Sequence, residues 1–195
     1  MPFVIAPLSK IKGENNYPGY DEAMKALQSK AFSRAQVIWK GFSPGGINPG
    51  AGQFGLTTIR PNEMSNNVTS STASGSYSFN RNRTGGAWRS LWDFTTREGI
   101  IMAIAGFRIT DDTLRIAQIR YELGDRKSAI MDLQEAMGWQ GGFDIIFNQD
   151  RGQELVLDPQ TYFYVRGYVE SSGNQRIVPL GFMLYKTKDL VMTEL

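Results

Sequence analysis

The sequence predicts a mainly β fold, an antiparallel sandwich or barrel with one short helix near its start. From Glu98 onward, short apolar or alternating segments recur at near-regular spacing, separated by turn residues. The one convincing helical period follows Asp21. The chain between is rich in Gly, Ser and Asn and holds too little apolar surface for a core of its own. The 195 residues are read as one domain, with an N-terminal arm (1–20), a region of helix, strands and long loops (21–97) and a regular sandwich portion (98–195).

The helix follows the turn Pro18-Gly19-Tyr20, with Asp21 as N-cap and Ala23, Met24, Leu27 and Ala31 on one face. Gln36–Lys40 is branched and aromatic, which favours a strand. Gly41–Gly55 holds six glycines and two prolines and reads as a loop. Leu56–Arg60 reads as a strand stopped by Pro61. Residues 62–87 form a polar excursion, within which Ser76-Tyr77-Ser78-Phe79-Asn80 alternates like an edge strand.

Ile100–Ile109 is apolar at nearly every position, as a strand covered on both faces must be. In Leu114–Leu123, strict alternation sets Leu114, Ile116 and Gln118 on one face and Ala117, Ile119, Tyr121 and Leu123 on the other, before a hairpin turn at Gly124-Asp125. Ser128–Met137 fits either a helix or a return strand, and we read a strand followed by a helical turn ending at Gly138. Further strands are expected at Phe143–Asn148, Glu154–Leu157 and Thr161–Glu170. Ser171-Ser172-Gly173-Asn174 is read as a hairpin turn with Arg176–Lys186 as its return strand, Pro179 marking a bulge or an edge. Phe107, Ile119, Phe163, Val165 and Phe182 are the expected core.

Composition narrows the chemistry. With no cysteine and no histidine, the chain offers no thiolate, no imidazole proton shuttle and neither serine nor cysteine triads. Acid–base work would rest on carboxylates: Asp111-Asp112 stands at a turn, where Asp also serves by bonding its own backbone, and Asp144, Asp150 and Glu154 flank a loop of a kind that can hold calcium but is read as turn chemistry. The reading is therefore not an enzyme, with no cofactor, no metal and no small-molecule substrate. Gly50-Ala51-Gly52-Gln53-Phe54-Gly55 matches a dinucleotide-binding glycine pattern literally. It lacks the preceding strand, the following helix and the acidic residue about twenty positions on. Asn67-Val68-Thr69 and Asn82-Arg83-Thr84 are sequons of little weight. No leader or membrane span is expected. Residues 1–60 carry seven Lys and Arg against three Asp and Glu, which suits a solvated face or weak contact with nucleic acid or membrane head groups.

The aromatic residues suggest contact rather than chemistry. Trp88 and Trp92, four apart after the polar excursion, are the leading interface candidates, followed by Tyr77, Phe79 and Phe54. In Tyr162-Phe163-Tyr164, alternation puts the two tyrosines on one face and the phenylalanine on the other.

The second half of the chain resembles a viral coat protein of the single jelly-roll kind, as in small icosahedral viruses. The resemblance rests on Glu154-Leu155-Val156-Leu157-Asp158-Pro159-Gln160-Thr161-Tyr162-Phe163-Tyr164-Val165-Arg166-Gly167-Tyr168-Val169-Glu170 and on Arg176-Ile177-Val178-Pro179-Leu180-Gly181-Phe182. It implies a role, shell building by self-association with copies of the chain and with other capsid proteins in a virion, and no site residue. A phage tail or fibre component and a carbohydrate-binding sandwich module share the same features.

Overall fold

A computed structural model describes residues 3–7, 20–39, 54–60, 73–74, 78–110, 114–134, 143–147 and 155–186. These form two antiparallel sheets and one helix, a mainly β protein. The larger sheet runs β1 (Phe3–Pro7), β10 (Phe143–Phe147), β6 (Ile100–Ile109), β13 (Gly173–Lys186), β4 (Ser78–Arg83) and β3 (Ala73–Ser74). On it, β11 (Leu155–Leu157) pairs with β6 and β2 (Phe54–Thr58) with β13. The smaller sheet runs β5 (Ala87–Thr95), β12 (Tyr162–Val169), β7 (Ile116–Leu123) and β8 (Arg126–Lys127), and β9 (Met131–Asp132) also pairs with β7.

β6 is buried along almost its whole length, as its unbroken apolar run requires, and each of its faces meets a different layer. Met102, Ile104, Phe107 and Ile109 join a core shared with Leu91, Trp92 and Phe94 of β5, Ile119 and Tyr121 of β7, and Phe163 and Val165 of β12. Ile101, Ala103 and Ala105 instead pack with Leu27, Ala31 and Ala35 of the helix α1 (Tyr20–Ile38) and with Trp39 just beyond it. The layers are therefore helix, larger sheet, smaller sheet. Side chains at 102 and 104 share a face with those at 107 and 109 because the register of β6 against β13 slips between Leu180 and Gly181. A bulge residue reverses the alternation, and here it keeps four large apolar side chains in one core. Gly181, at φ 145°, sits at that slip, and a Cβ there would meet the Ala103 carbonyl oxygen at 2.0 Å. Pro179 lies beside it, between the stretches of β13 bonded to β4 and to β2, in keeping with the bulge expected there.

The same device corrects the expected faces of β7. Its register against β12 shifts between Tyr168 and Val169, skipping Ala117, so Leu114 and Ile116 share the core with Ile119 and Tyr121.

Of the strand expected at Gln36–Lys40, Gln36–Ile38 is helical instead, since α1 runs to Ile38 and the Trp39 amide donates to Ala35 O at 2.7 Å, while Lys40 lies outside the described residues. Leu27, Ala31, Ala35 and Trp39 recur every four residues, and burying that stripe on the sheet outweighs the β preference of Val37 and Ile38. The helix also starts at Tyr20, one residue before the expected cap. Arg34 reaches from it to Asp158, donating through Nε at 2.7 Å and Nη2 at 2.5 Å. Asp158 opens the turn Asp158-Pro159-Gln160-Thr161, in which Gln160 takes φ 59°, a conformation costing a non-glycine residue on the order of 1 kcal/mol. Buried Thr96 secures that turn: its hydroxyl donates to Asp158 O at 2.6 Å and accepts from the Thr161 amide at 2.8 Å.

Ser171–Asn174 does not close a hairpin. β12 belongs to the smaller sheet and β13 to the larger, so this segment crosses between layers. The arch is held by Gly85 N donating to Ser172 Oγ at 3.0 Å and Arg115 Nη1 donating to Ser172 O at 2.9 Å. The turn at Gly124-Asp125 does join β7 to β8, with Gly124 at φ 56°. The return strand expected beyond it is reduced to β8 and β9, separated at Ser128–Ile130, and the helical turn expected to end at Gly138 lies outside the described residues. Nor does the two-sheet core belong to 98–195 alone, because β2, β4 and β5 are strands of the two sheets. Of the edge strand expected at 76–80, residues 78–80 belong to β4, which pairs with β13, and 76–77 lie outside the described residues. Phe182 is half-buried, because it lies on the helix side of β13 with Leu180 and Leu184 rather than between the sheets.

Phe163 is fully buried, with ring centroids 5.5 Å from Phe94 and 6.0 Å from Tyr121. Phe163→Ala is expected to lower the unfolding free energy by about 3–5 kcal/mol in urea titrations, and a loss below about 1 kcal/mol would contradict this packing.

Candidate functional face

The larger sheet is covered on one face by the smaller sheet and, over β6, β11 and β13, by α1 on the other. Among the described elements nothing is packed over the outer face of the smaller sheet, which makes that face the candidate site. Alternation along β12 buries Phe163, Val165, Gly167 and Val169 and turns Tyr162, Tyr164, Arg166 and Tyr168 outward. Gly167 leaves the room that Leu91 and Ile116 fill, for a Cβ there would lie 2.7 Å from Leu91 Cδ1 and 2.9 Å from Ile116 Cγ2.

Register assembles the outward residues into rows. Tyr162 stands opposite Thr95. Tyr164 stands between Asp93 of β5 and Glu122 of β7, and Lys127 of β8 follows Glu122. Arg166 stands between Ser90 and Arg120, and Tyr168 between Trp88 and Gln118, beyond which lies Asp132. Reading along the strands, a tyrosine row is followed by an acidic row, a basic row and an aromatic row.

These rows hold themselves in place. The Arg120 guanidinium lies 5.1 Å from the Trp88 ring centroid and 3.0 Å from a Glu122 carboxylate oxygen. Arg166 lies 5.5 Å from the Tyr164 centroid, Trp88 meets Tyr168 edge-on at 6.1 Å, and Tyr162 stacks on Tyr164 at 6.3 Å. Such contacts fix rotamers before any partner arrives. The Nε donors of Arg120 and Arg166 are buried and find no acceptor among the described residues.

The predicted interface residues divide. Trp88 belongs to this face. Trp92 is fully buried, edge-on to Phe107 at 4.5 Å between the sheets. The two tryptophans part because the β5 register slips at Leu91, between Val165 and Arg166 of β12, so a spacing of four no longer means one side. Phe54 is half-buried under the end of the helix, stacked on Trp39 at 5.2 Å. Phe79 lies in β4, with its side chain outside the described residues, and Tyr77 lies outside them altogether. Sequence reasoning did not single out Arg120, Arg166 and Tyr168 as contact residues, although alternation in Tyr162–Val169 carries the signal for the last two.

The other motifs bring no site together among the described residues. Phe54 and Gly55 of the glycine pattern lie in a strand, and Gly55 makes room for the Tyr185 ring opposite it, 2.2 Å from where a Cβ would stand. Asp144 lies in β10 with its side chain undescribed, while Asp111, Asp112, Asp150 and Glu154 fall outside the described residues, as does Asn67. Among the described residues no group of acidic side chains is arranged to hold a metal, and no helix is long and apolar enough to cross a membrane.

Fold and face together define a mainly β protein whose uncovered sheet is lined with tyrosine, tryptophan and arginine. No known family profile, curated protein or solved structure matches the chain.

Burial, then the hydrogen bond and charge of Asp93, and lastly Tyr164 and Glu122, push the Tyr162 phenol up to about 12, and burial also raises Tyr121. The folded chain thus holds the Tyr162 proton more tightly than the unfolded chain, whose phenols titrate near 10. The stability linked to that proton is complete below about pH 10 and is lost as pH rises from about 10 to about 12. Because 48% of Tyr162 stays exposed, solvent screens the effect and keeps it small. In an ultraviolet titration of tyrosinate, Tyr162→Phe is expected to remove a late-ionising phenol and Asp93→Asn to shift it to lower pH. Superimposable curves for all three proteins would contradict this geometry.

Proposed function

We propose that this chain is a structural protein of a viral shell, built on a single jelly roll and acting by self-association rather than catalysis. The observation that carries the reading is the nesting of strand pairs. A jelly roll folds eight strands so that the first pairs with the eighth, the second with the seventh, the third with the sixth and the fourth with the fifth. Taking β4, β5, β6, β7, β8, β10, β12 and β13 as those eight, the pairs β4–β13, β5–β12, β6–β10 and β7–β8 are all present and antiparallel. The sheet orders β4-β13-β6-β10 and β5-β12-β7-β8 follow from that nesting. β1, β2, β3, β9 and β11 are additions around it.

The uncovered face supports the assembly half of the proposal. Aromatic residues and arginine are enriched where proteins meet and lysine is depleted there, and this face carries four aromatic residues and two arginines with Lys127 only at its margin. Other capsid proteins remain candidate partners, and the basic first third is the part suited to nucleic acid or membrane head groups.

The test is the size of the purified chain. Sedimentation velocity and negative-stain microscopy over rising concentration should find oligomers or closed particles, and Trp88→Ala should weaken assembly while leaving the fold intact. A protein that stays monomeric at the highest concentration reached would contradict the proposal and favour a binding module that works alone.

A further inference from the structure

We infer that the outer face of the smaller sheet pairs with the same face of a second copy, about a two-fold axis lying in the interface and running across the strands. The inference rests on the self-association proposed above and names its partner and geometry.

The order of the rows selects the axis. An isologous contact sets each residue of a patch against another residue of the same patch, so the patch must complement itself. An in-plane axis parallel to the strands would set the basic row upon the basic row. An axis across the strands, between the acidic and basic rows, reverses the order. Glu122 then faces Arg120 of the other copy, and Tyr164 faces Arg166. Tyr168 faces Tyr162. Each contact occurs twice. Arg120 and Glu122 stay on one strand, two residues apart, so reversal about this axis exchanges their positions.

The arginines suit such a partner. Each is only half-buried, and a facing carboxylate or phenol oxygen can accept a charge-assisted hydrogen bond from the accessible part of its guanidinium. The paired faces resemble aligned packing of two sheets, with side chains interdigitating between them. Four rows about 7 Å apart, on three to four strands about 4.8 Å apart, give a footprint roughly 20 Å by 15 Å. That is smaller than a standard interface, so the pair is weak alone and depends on concentration. In a shell it would be one of several contacts acting together.

Charge reversal tests the geometry. Glu122→Arg sets arginine against Arg120 of the partner twice, and Arg120→Glu sets glutamate against Glu122 twice. Each variant alone should dimerise roughly a hundredfold more weakly than the unaltered chain in sedimentation equilibrium. Mixed together, the two variants make both facing pairs attractive, and heterodimers should recover most of the lost affinity. Within each chain the like-charged neighbours at 120 and 122 persist after mixing, so recovery reports contact between copies.

If the unaltered chain associates but mixing restores nothing, or if each variant associates normally, the two-fold pairing is wrong while self-association stands. If the unaltered chain never associates, the proposed function falls with it. Urea transitions establish that the variants fold. Should a reversal fail to fold, Arg120→Gln and Glu122→Gln carry the test: each should weaken dimerisation by roughly tenfold, and unchanged affinity in both would overturn the pairing.

Discussion

Everything in this structure depends on β6 having no solvent face. Ten consecutive residues, nearly all apolar, can be satisfied only in the middle of three layers. One side therefore needs the helix and the other needs the smaller sheet. The small residues Ala103 and Ala105 face Ala31 and Ala35, which lets the helix approach closely. Met102, Ile104, Phe107 and Ile109 face inward and meet large aromatic side chains. Among the described elements, both the helix and the smaller sheet's inner face are taken up by β6 and its neighbours, and none lies over the outer face of the smaller sheet.

Much of this was legible in the chain. The apolar run of β6, the alternation of β12, the turn at Gly124 and the stripe beginning at Leu27 all declare their environment through local spacing. What alternation could not supply was phase across a bulge. Leu91, Ala105 and Ala117 each stand at a slip of register, and each puts residues in one core that strict counting places on opposite faces. Trp88 and Trp92 are separated for that reason. A bulge depends on how two strands pair, so a single strand's pattern does not reveal it. The crossing at Ser171–Asn174 was hidden in the same way, since turn-forming residues serve an arch between sheets as well as a hairpin within one.

The candidate face follows from these slips. Without the one at Leu91, Trp88 would point into the core or Trp92 out of it, and the aromatic row opposite Arg120 would not exist. The extra residue thus has two results: Trp92 joins Phe107 between the sheets, and Trp88 joins Tyr168 and Arg120 outside. Interior packing and surface composition are set by one irregularity. Of the site residues only Trp88 stood out in the sequence as a contact candidate; the grouping of Arg120, Arg166 and Tyr168 with it into rows is a property of register and appears only when the strands are aligned.

The central claim, that this face is where copies of the chain meet, is tested most directly by hydroxyl-radical footprinting of the intact protein at low and high concentration. Trp88, Tyr164 and Tyr168 should lose reactivity as the protein associates, while Val37, 70% exposed on the outer side of the helix, keeps its own. Association that protects the helix and leaves those three aromatic residues as reactive as before would contradict it.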